Sequence, residues 1–138
     1  MLTPPENQIR LAEMSPLALA FVGDGVLELL VRARLVASRR IPPGALHREA
    51  VKIVSAKGQF DALSLLEPHL TEEERDMVRR GRNASKATVS KNASPQQYRA
   101  STGLEAMLGW LYLQNRSERV EELFGHIWQH YLEDAADH

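Results

Sequence analysis

Apolar positions recur at helical spacing along nearly the whole chain. Ser15-Pro16 is a start signal: a side chain able to cap a free backbone N–H, then a proline where φ is already helical. Leu17, Phe21, Leu27, Leu30, Val31 and Leu35 follow on helical spacing, which predicts a helix to about Ser38. Ile41-Pro42-Pro43-Gly44 then stops it. Two shorter helices are expected over residues 45–54 and 56–67, with Ser55 as a cap between them and Pro68 ending the pair. Thr71-Glu72-Glu73-Glu74 reads as a capping box whose acids sit where the helix dipole favours them, and predicts a helix to about Arg80. From Gly81 to Ser94 the apolar period fades, and a long loop is expected. Pro95 can open a further helical turn, a strongly apolar helix follows over residues 101–114, and Ser117 is placed to cap a last amphipathic helix carrying Val120, Leu123, Phe124, Ile127 and Tyr131. No segment alternates as a strand does, so the expected fold is an all-α bundle, one domain over residues 1–138.

Composition narrows the chemistry. With no cysteine there is neither a disulfide framework nor a thiolate ligand or nucleophile, which fits a reducing compartment. No apolar run approaches the roughly 20 residues that span a bilayer, and the N-terminus lacks a basic-then-apolar signal pattern. No membrane association is expected, and the cytoplasm is the expected compartment. The net charge of −1 does not mark the chain as a nucleic-acid binder. Its distribution does: between Arg75 and Arg99 there are seven Lys/Arg residues and one acid, Asp76, whereas the charged residues of 118–137 are mostly acidic. A concentrated basic segment can guide a phosphate backbone on an otherwise neutral protein. The alternative for such a segment is a solvated surface loop. Long loops inside compact domains are uncommon unless they serve a function, which draws attention to the segment after Arg80.

Two acids stand out against apolar surroundings. Asp24 lies between Gly23 and Gly25 in the first helix, and its neighbours three and four positions away are Ala20, Phe21, Leu27 and Glu28. A carboxylate leaving an apolar face needs a partner or a metal, because burying an unpaired charge is costly. The flanking glycines, each costing about 1 kcal/mol in a helix interior, suggest that another backbone comes close. The competing reading is a break at Gly-Asp-Gly. Glu105 repeats the pattern within Thr102-Gly103-Leu104-Glu105-Ala106-Met107-Leu108-Gly109. Two such helices in a bundle can bring their acids together, and two carboxylates share a dry site only with a proton or a cation between them. Oxygen-only ligands suit Mg²⁺ or Mn²⁺, which activate water and steady charge on a phosphate oxygen. Acids and basic segment together point to phosphodiester hydrolysis. His126 and His130 have zinc-ligand spacing but no third ligand, so a surface role is expected of them; no nucleophile elbow or Walker-type glycine loop is present.

Phe21-Val22-Gly23-Asp24-Gly25-Val26-Leu27-Glu28 resembles the signature helix of the ribonuclease III catalytic domain, and the 102–109 stretch resembles that family's second acidic helix. Ala18-Leu19-Ala20-Phe21, Ile53-Val54-Ser55-Ala56-Lys57, Arg80-Gly81-Arg82-Asn83-Ala84 and Tyr98-Arg99-Ala100-Ser101-Thr102 are similar to stretches of its small bacterial branch, Mini-ribonuclease III. The resemblance covers nearly the whole chain in motif order. It implies the all-α endonuclease fold, a homodimer with one site per subunit, and Mg²⁺-dependent cutting of both strands of double-stranded RNA. It implies no separate double-stranded RNA-binding domain, and a precursor of large-subunit ribosomal RNA as substrate, with a ribosomal protein as a candidate partner. Asp24 and Glu105 carry over as the catalytic, metal-binding acids, and Glu28 is a candidate outer ligand or an ion-pair partner of Arg32. Three positions that are acidic in larger relatives correspond here to Leu17, Ala20 and Thr102. Arg80, Arg82, Lys86, Lys91 and Arg99 become candidates for phosphate contact, with Asn83 and Asn92 for sugar hydroxyls. The reduced acid set leaves a rival open, a non-catalytic RNA-binding or ribosome-assembly module on the same fold. A purely structural helical interaction domain is a third reading, which the acids and the basic segment disfavour.

Overall fold

The computed structural model describes residues 1–86 and 93–137. Among them are six α-helices: α1 (Pro16–Ser38), α2 (Pro43–Val54), α3 (Ala56–Leu66), α4 (Glu72–Ala84), α5 (Pro95–Leu113) and α6 (Ser117–Ala136). Short 3₁₀ turns cover Leu11–Glu13 and Glu67–His69. The all-α expectation holds, and most boundaries fall where capping chemistry puts them. Ser15 accepts from the Ala18 N–H at 3.1 Å, Ser55 from Gly58 at 3.0 Å and Thr71 from Glu74 at 3.2 Å.

Four boundaries differ from the expectation, each for a local reason. Pro43, read as a stop, occupies the first turn of α2, where its missing N–H costs nothing. α4 continues past Arg80 to Ala84, so the basic segment begins on a helix and not in a loop. Residues 95–113 form one helix, because Ser94 and Gln97 make a reciprocal capping box that no apolar period announces. Ser117 is the first helical residue of α6, not its cap; Arg116 holds the capping position without a side-chain hydrogen bond. The preceding turn is closed by Asn115 at φ 61°, a left-handed conformation that asparagine tolerates better than most residues.

Helix α5 is the hub. It packs most extensively on α1 and α4 and also meets α3 and α6. Glycines decide how close these packings are. A Cβ at Gly23 would overlap the Glu105 carbonyl and come within 2.9 Å of the Gly109 nitrogen, and one at Gly109 would overlap the Leu19 carbonyl. A Cβ at Gly103 would lie 2.7 Å from the Val78 carbonyl oxygen of α4. The backbone of α5 is thus pressed against α1 on one side and α4 on the other, a separation only glycine permits. Leu27, Leu35, Leu104, Met107, Leu111 and Phe124 are among the side chains buried between the helices. At the far end of α1, Arg39 donates to Glu49 and to the Tyr131 hydroxyl, tying α1, α2 and α6 together. No helix of the described residues is long and apolar enough to cross a membrane.

Candidate active site

The α1–α5 crossing brings the two singled-out acids together. Glu105 is half-buried, and its neighbours include Asp24 and Glu28 from α1 and Gln59 from α3. Burial pushes the Glu105 carboxyl up to about 8; the nearby Asp24 and Glu28 push the same way, and a hydrogen bond from Gln59 opposes them. Asp24 differs from the expectation in one respect: its side chain is exposed, on the rim of the site, and only Glu105 is deep. The reason is helix rotation. Gly23, one residue earlier, is the position pressed against α5, so the next side chain is turned toward solvent.

Glu28 accepts from the Arg32 Nε at 3.0 Å, so the expected ion pair is present, and its charge also reaches Glu105. The positions that are acidic in larger relatives add nothing to the acid set. Ala20 is buried, Leu17 is exposed, and Thr102 is 7 % exposed with its hydroxyl within 3.2 Å of the Tyr98 carbonyl and 3.3 Å of the Ser85 hydroxyl. No group of three or more metal-ligand side chains is gathered among the described residues. His126 stacks on the His69 ring at 4.0 Å, as a packing residue would.

The basic candidates separate into two sets. Arg82, Asn83 and Arg99 line an open groove of about 960 Å³ between the end of α4 and the start of α5, together with Ser85, Ser94, Pro95 and Gln96. Arg80 and Lys86 are exposed but line no part of it, and Lys91 and Asn92 lie outside the described residues. Arg75 and Arg79 are tied to Glu67 and Asp76. Arg80, Arg82, Lys86 and Arg99 make no ion pair with a described residue, which leaves their charge available. The groove and the acids share a helix. Arg99 and Glu105 are six residues apart on α5, about 9 Å along its axis, and a Cβ at Gly103 would lie 3.2 Å from Cγ of Arg82.

Residues 17–116 match the family model described as the ribonuclease III domain. The chain belongs to the ribonuclease III family. It is 46 % identical over 110 residues to Mini-ribonuclease 3 of Thermoanaerobacter sp., covering 80 % of this chain and 78 % of that one. It is 43 % identical over 124 residues to Mini-ribonuclease 3 of Staphylococcus aureus, covering 88 % and 91 %. With Mini-ribonuclease 3 of Synechocystis sp. the identity is 44 % over 133 residues, covering 96 % and 88 %. An X-ray crystal structure of a Fusobacterium nucleatum protein superposes with a TM-score of 0.76 at 25 % identity, covering 85 % of this chain and 93 % of that one. This ribonuclease III domain is an endoribonuclease of the Mini-ribonuclease 3 branch.

In this member of the family, one side chain at the acids was invisible to sequence reasoning. Gln59 is 3 % exposed, and its Nε2 donates to the Val54 carbonyl at 3.0 Å and to Glu105 Oε2 at 3.3 Å. In the sequence Gln59 stands between Lys57 and Asp61, where an amide reads as one more surface residue.

Proposed function

We propose that the chain is a divalent-metal-dependent endoribonuclease that cuts double-stranded RNA as a homodimer, leaving 5′-phosphate and 3′-hydroxyl ends. A precursor of large-subunit ribosomal RNA is its proposed substrate. The observation that carries this reading is the meeting of Asp24 and Glu105 across a glycine-tight helix crossing, on the same helix as a basic groove. The donor set fits Mg²⁺ or Mn²⁺: it is all oxygen, and Asp24 and Glu28 stand beside a half-buried Glu105 carboxyl that makes no ion pair with a described residue. Asp24 and Glu105 would hold the ion, with Glu28 in an outer position steadied by Arg32. When bound, such an ion supplies a nucleophile at neutral pH and neutralises charge on a phosphate oxygen.

The other residues place the substrate. Arg82 and Arg99 line the groove from two helices and can hold the backbone of one strand, while Asn83 beside them is suited to a ribose hydroxyl. Arg80 and Lys86 extend positive potential around the groove. Such contacts read the shape of the duplex and not its sequence. A second subunit is supported by Phe21, which is 84 % exposed on the outer face of α1, with Leu17 and Leu29 also exposed on that helix. A two-fold dimer would present one acid pair to each strand.

The test is incubation of long duplex RNA with the protein, with and without Mg²⁺, alongside Glu105→Gln. Cutting that requires both the ion and Glu105 supports the proposal. Tight RNA binding without cutting would establish the non-catalytic module instead.

A further inference from the structure

We propose that Gln59 is a positioning residue for Glu105, fixing the direction in which that carboxylate meets a divalent cation; this rests on the metal-dependent reading above. Gln59 comes from α3, a helix that supplies neither acid, and its side chain is almost wholly enclosed. One amide nitrogen serves two acceptors. One proton goes to the Val54 carbonyl at the turn between α2 and α3, and the other to Oε2 of Glu105. The first bond anchors the amide to backbone, so the second holds Glu105 against a fixed point.

The other end of the amide is the informative one. Oε1 of Gln59 is buried and finds no donor among the described residues. Turning the amide over would not help, because its oxygen would then face the Val54 carbonyl, which can only accept. A residue present only to fill the interior would avoid both difficulties as leucine or methionine. Gln59 retains an unpaired buried carbonyl so that its nitrogen can face Glu105, which is the arrangement expected where orientation of a ligand outweighs local stability. Holding Oε2 from the α3 side leaves the rest of the carboxylate for an ion shared with α1.

The experiment compares wild type with Gln59→Leu and Gln59→Met, both apolar and close in volume. Mn²⁺ alone is the probe, titrated while the electron paramagnetic resonance signal of the free ion is followed. Melting temperatures are measured in metal-free buffer, and Asp24→Asn serves as the control that loses a direct ligand. The expected result is a split: melting at or above the wild-type temperature, with Mn²⁺ bound about 10- to 100-fold more weakly, the range typical of residues that orient metal ligands. Either variant is sufficient if the other does not fold. Wild-type affinity in a folded variant would overturn the proposal, as would loss of folding in both. If the wild-type chain itself bound no Mn²⁺, the metal-dependent reading would fall and this inference with it. If wild type binds, Asp24→Asn does not, and Gln59→Leu matches wild type, only the inference fails.

Discussion

The C-terminal end of α1 and its crossing with α5 handle acidic side chains in opposite ways. At its C-terminal end Glu49 accepts from the Tyr131 hydroxyl at 2.6 Å, from Lys52 at 2.9 Å and from Arg39 at 3.0 Å, and those partners hold its carboxyl down at about 2, led by the Tyr131 hydrogen bond. On the far side of the bundle Glu74 is 0 % exposed. Burial alone would raise its pKa, but hydrogen bonds from Arg119 and Thr71 outweigh that and leave it lowered. At the α1–α5 crossing the partners run out. Glu105 is surrounded by two more acids and one amide, and its carboxyl is pushed up to about 8. In one fold, buried acids that serve the scaffold are satisfied, and the acid pair at the crossing is left short of positive charge. That shortfall marks a place where something is to be bound.

The sharpest way to break this contrast is to remove the unsatisfied acid. Glu105→Gln should lower Mg²⁺-dependent cleavage by on the order of 10³-fold or more, since it deletes a direct ligand and not a supporting contact. The same change should raise the metal-free melting temperature by about 2–5 °C, because folding forces that carboxyl, half-buried beside Asp24 and Glu28, out of its ionised form, a cost glutamine avoids. A kinetic assay and a thermal melt on one preparation check both halves. A variant that lost activity and stability together would show the acid to be structural.

The converse experiment makes a satisfied acid unsatisfied. Arg119 donates to both oxygens of Glu74 and to the His69 carbonyl, and its own side chain is only 17 % exposed. Arg119→Met leaves Glu74 buried without its cation and should cost about 3–5 kcal/mol in urea unfolding at pH 7. Cleavage by the folded fraction at low temperature should be unchanged, because Arg119 lines no part of the groove and its hydrogen bonds go to Glu74, Glu122 and the His69 carbonyl. A loss below 1 kcal/mol would mean that the interior tolerates an unpaired acid anywhere, and the contrast would lose its meaning.

How much of this was legible beforehand follows from what each feature depends on. Asp24 and Glu105 were visible because a lone acid among apolar residues with flanking glycines is a local pattern. The role of Gly23 in admitting α5 was inferred from the same pattern, but Gly25 looked identical and has nothing within 4 Å of its would-be Cβ. Which glycine faces a neighbour depends on helix rotation, and adjacent letters do not reveal it. The rim position of Asp24 was hidden for the same reason. Gln59 and the Arg119–Glu74 pair depend on contacts across 46 and 45 positions, for which periodicity has no signal. The end of α4 was misplaced because Arg79, Arg80, Arg82 and Asn83 erase the apolar period after Val78, and the buried position among them is a glycine, Gly81.

The groove tests whether the uncompensated acids act alone. Replacing Arg82 and Arg99 by alanine should weaken duplex RNA binding about tenfold at low salt, about equally for unrelated sequences. It should flatten the slope of log K against log salt by about two, one for each lost phosphate contact. Mn²⁺ binding should not change. An unaltered salt slope would remove the groove from the RNA path and leave Arg80 and Lys86 to be tried next.

The smallest effect concerns Glu49, and it sharpens the comparison through pH. Replacing Glu49 by Gln keeps an acceptor for Tyr131 and removes the charge that meets Arg39 and Lys52, which are 40 % and 58 % exposed. Screening by solvent limits such pairs, so the cost should be about 1 kcal/mol at pH 7. The folded carboxyl titrates at about 2 and the unfolded one at its ordinary value of 4.5, so the folded state favours the ionised form. The stabilisation is therefore complete above the unfolded value and is lost as pH falls toward the folded one. Urea unfolding should show a constant gap between wild type and Glu49→Gln from about pH 5.5 to 7, a narrower gap at pH 3.5, and almost none at pH 2. A gap that persisted at pH 2 would come from the shape of the side chain and not its charge. Glu49 would then be one more packed residue, and the satisfied end of α1 would no longer serve as the counterpart of the crossing that holds Asp24 and Glu105.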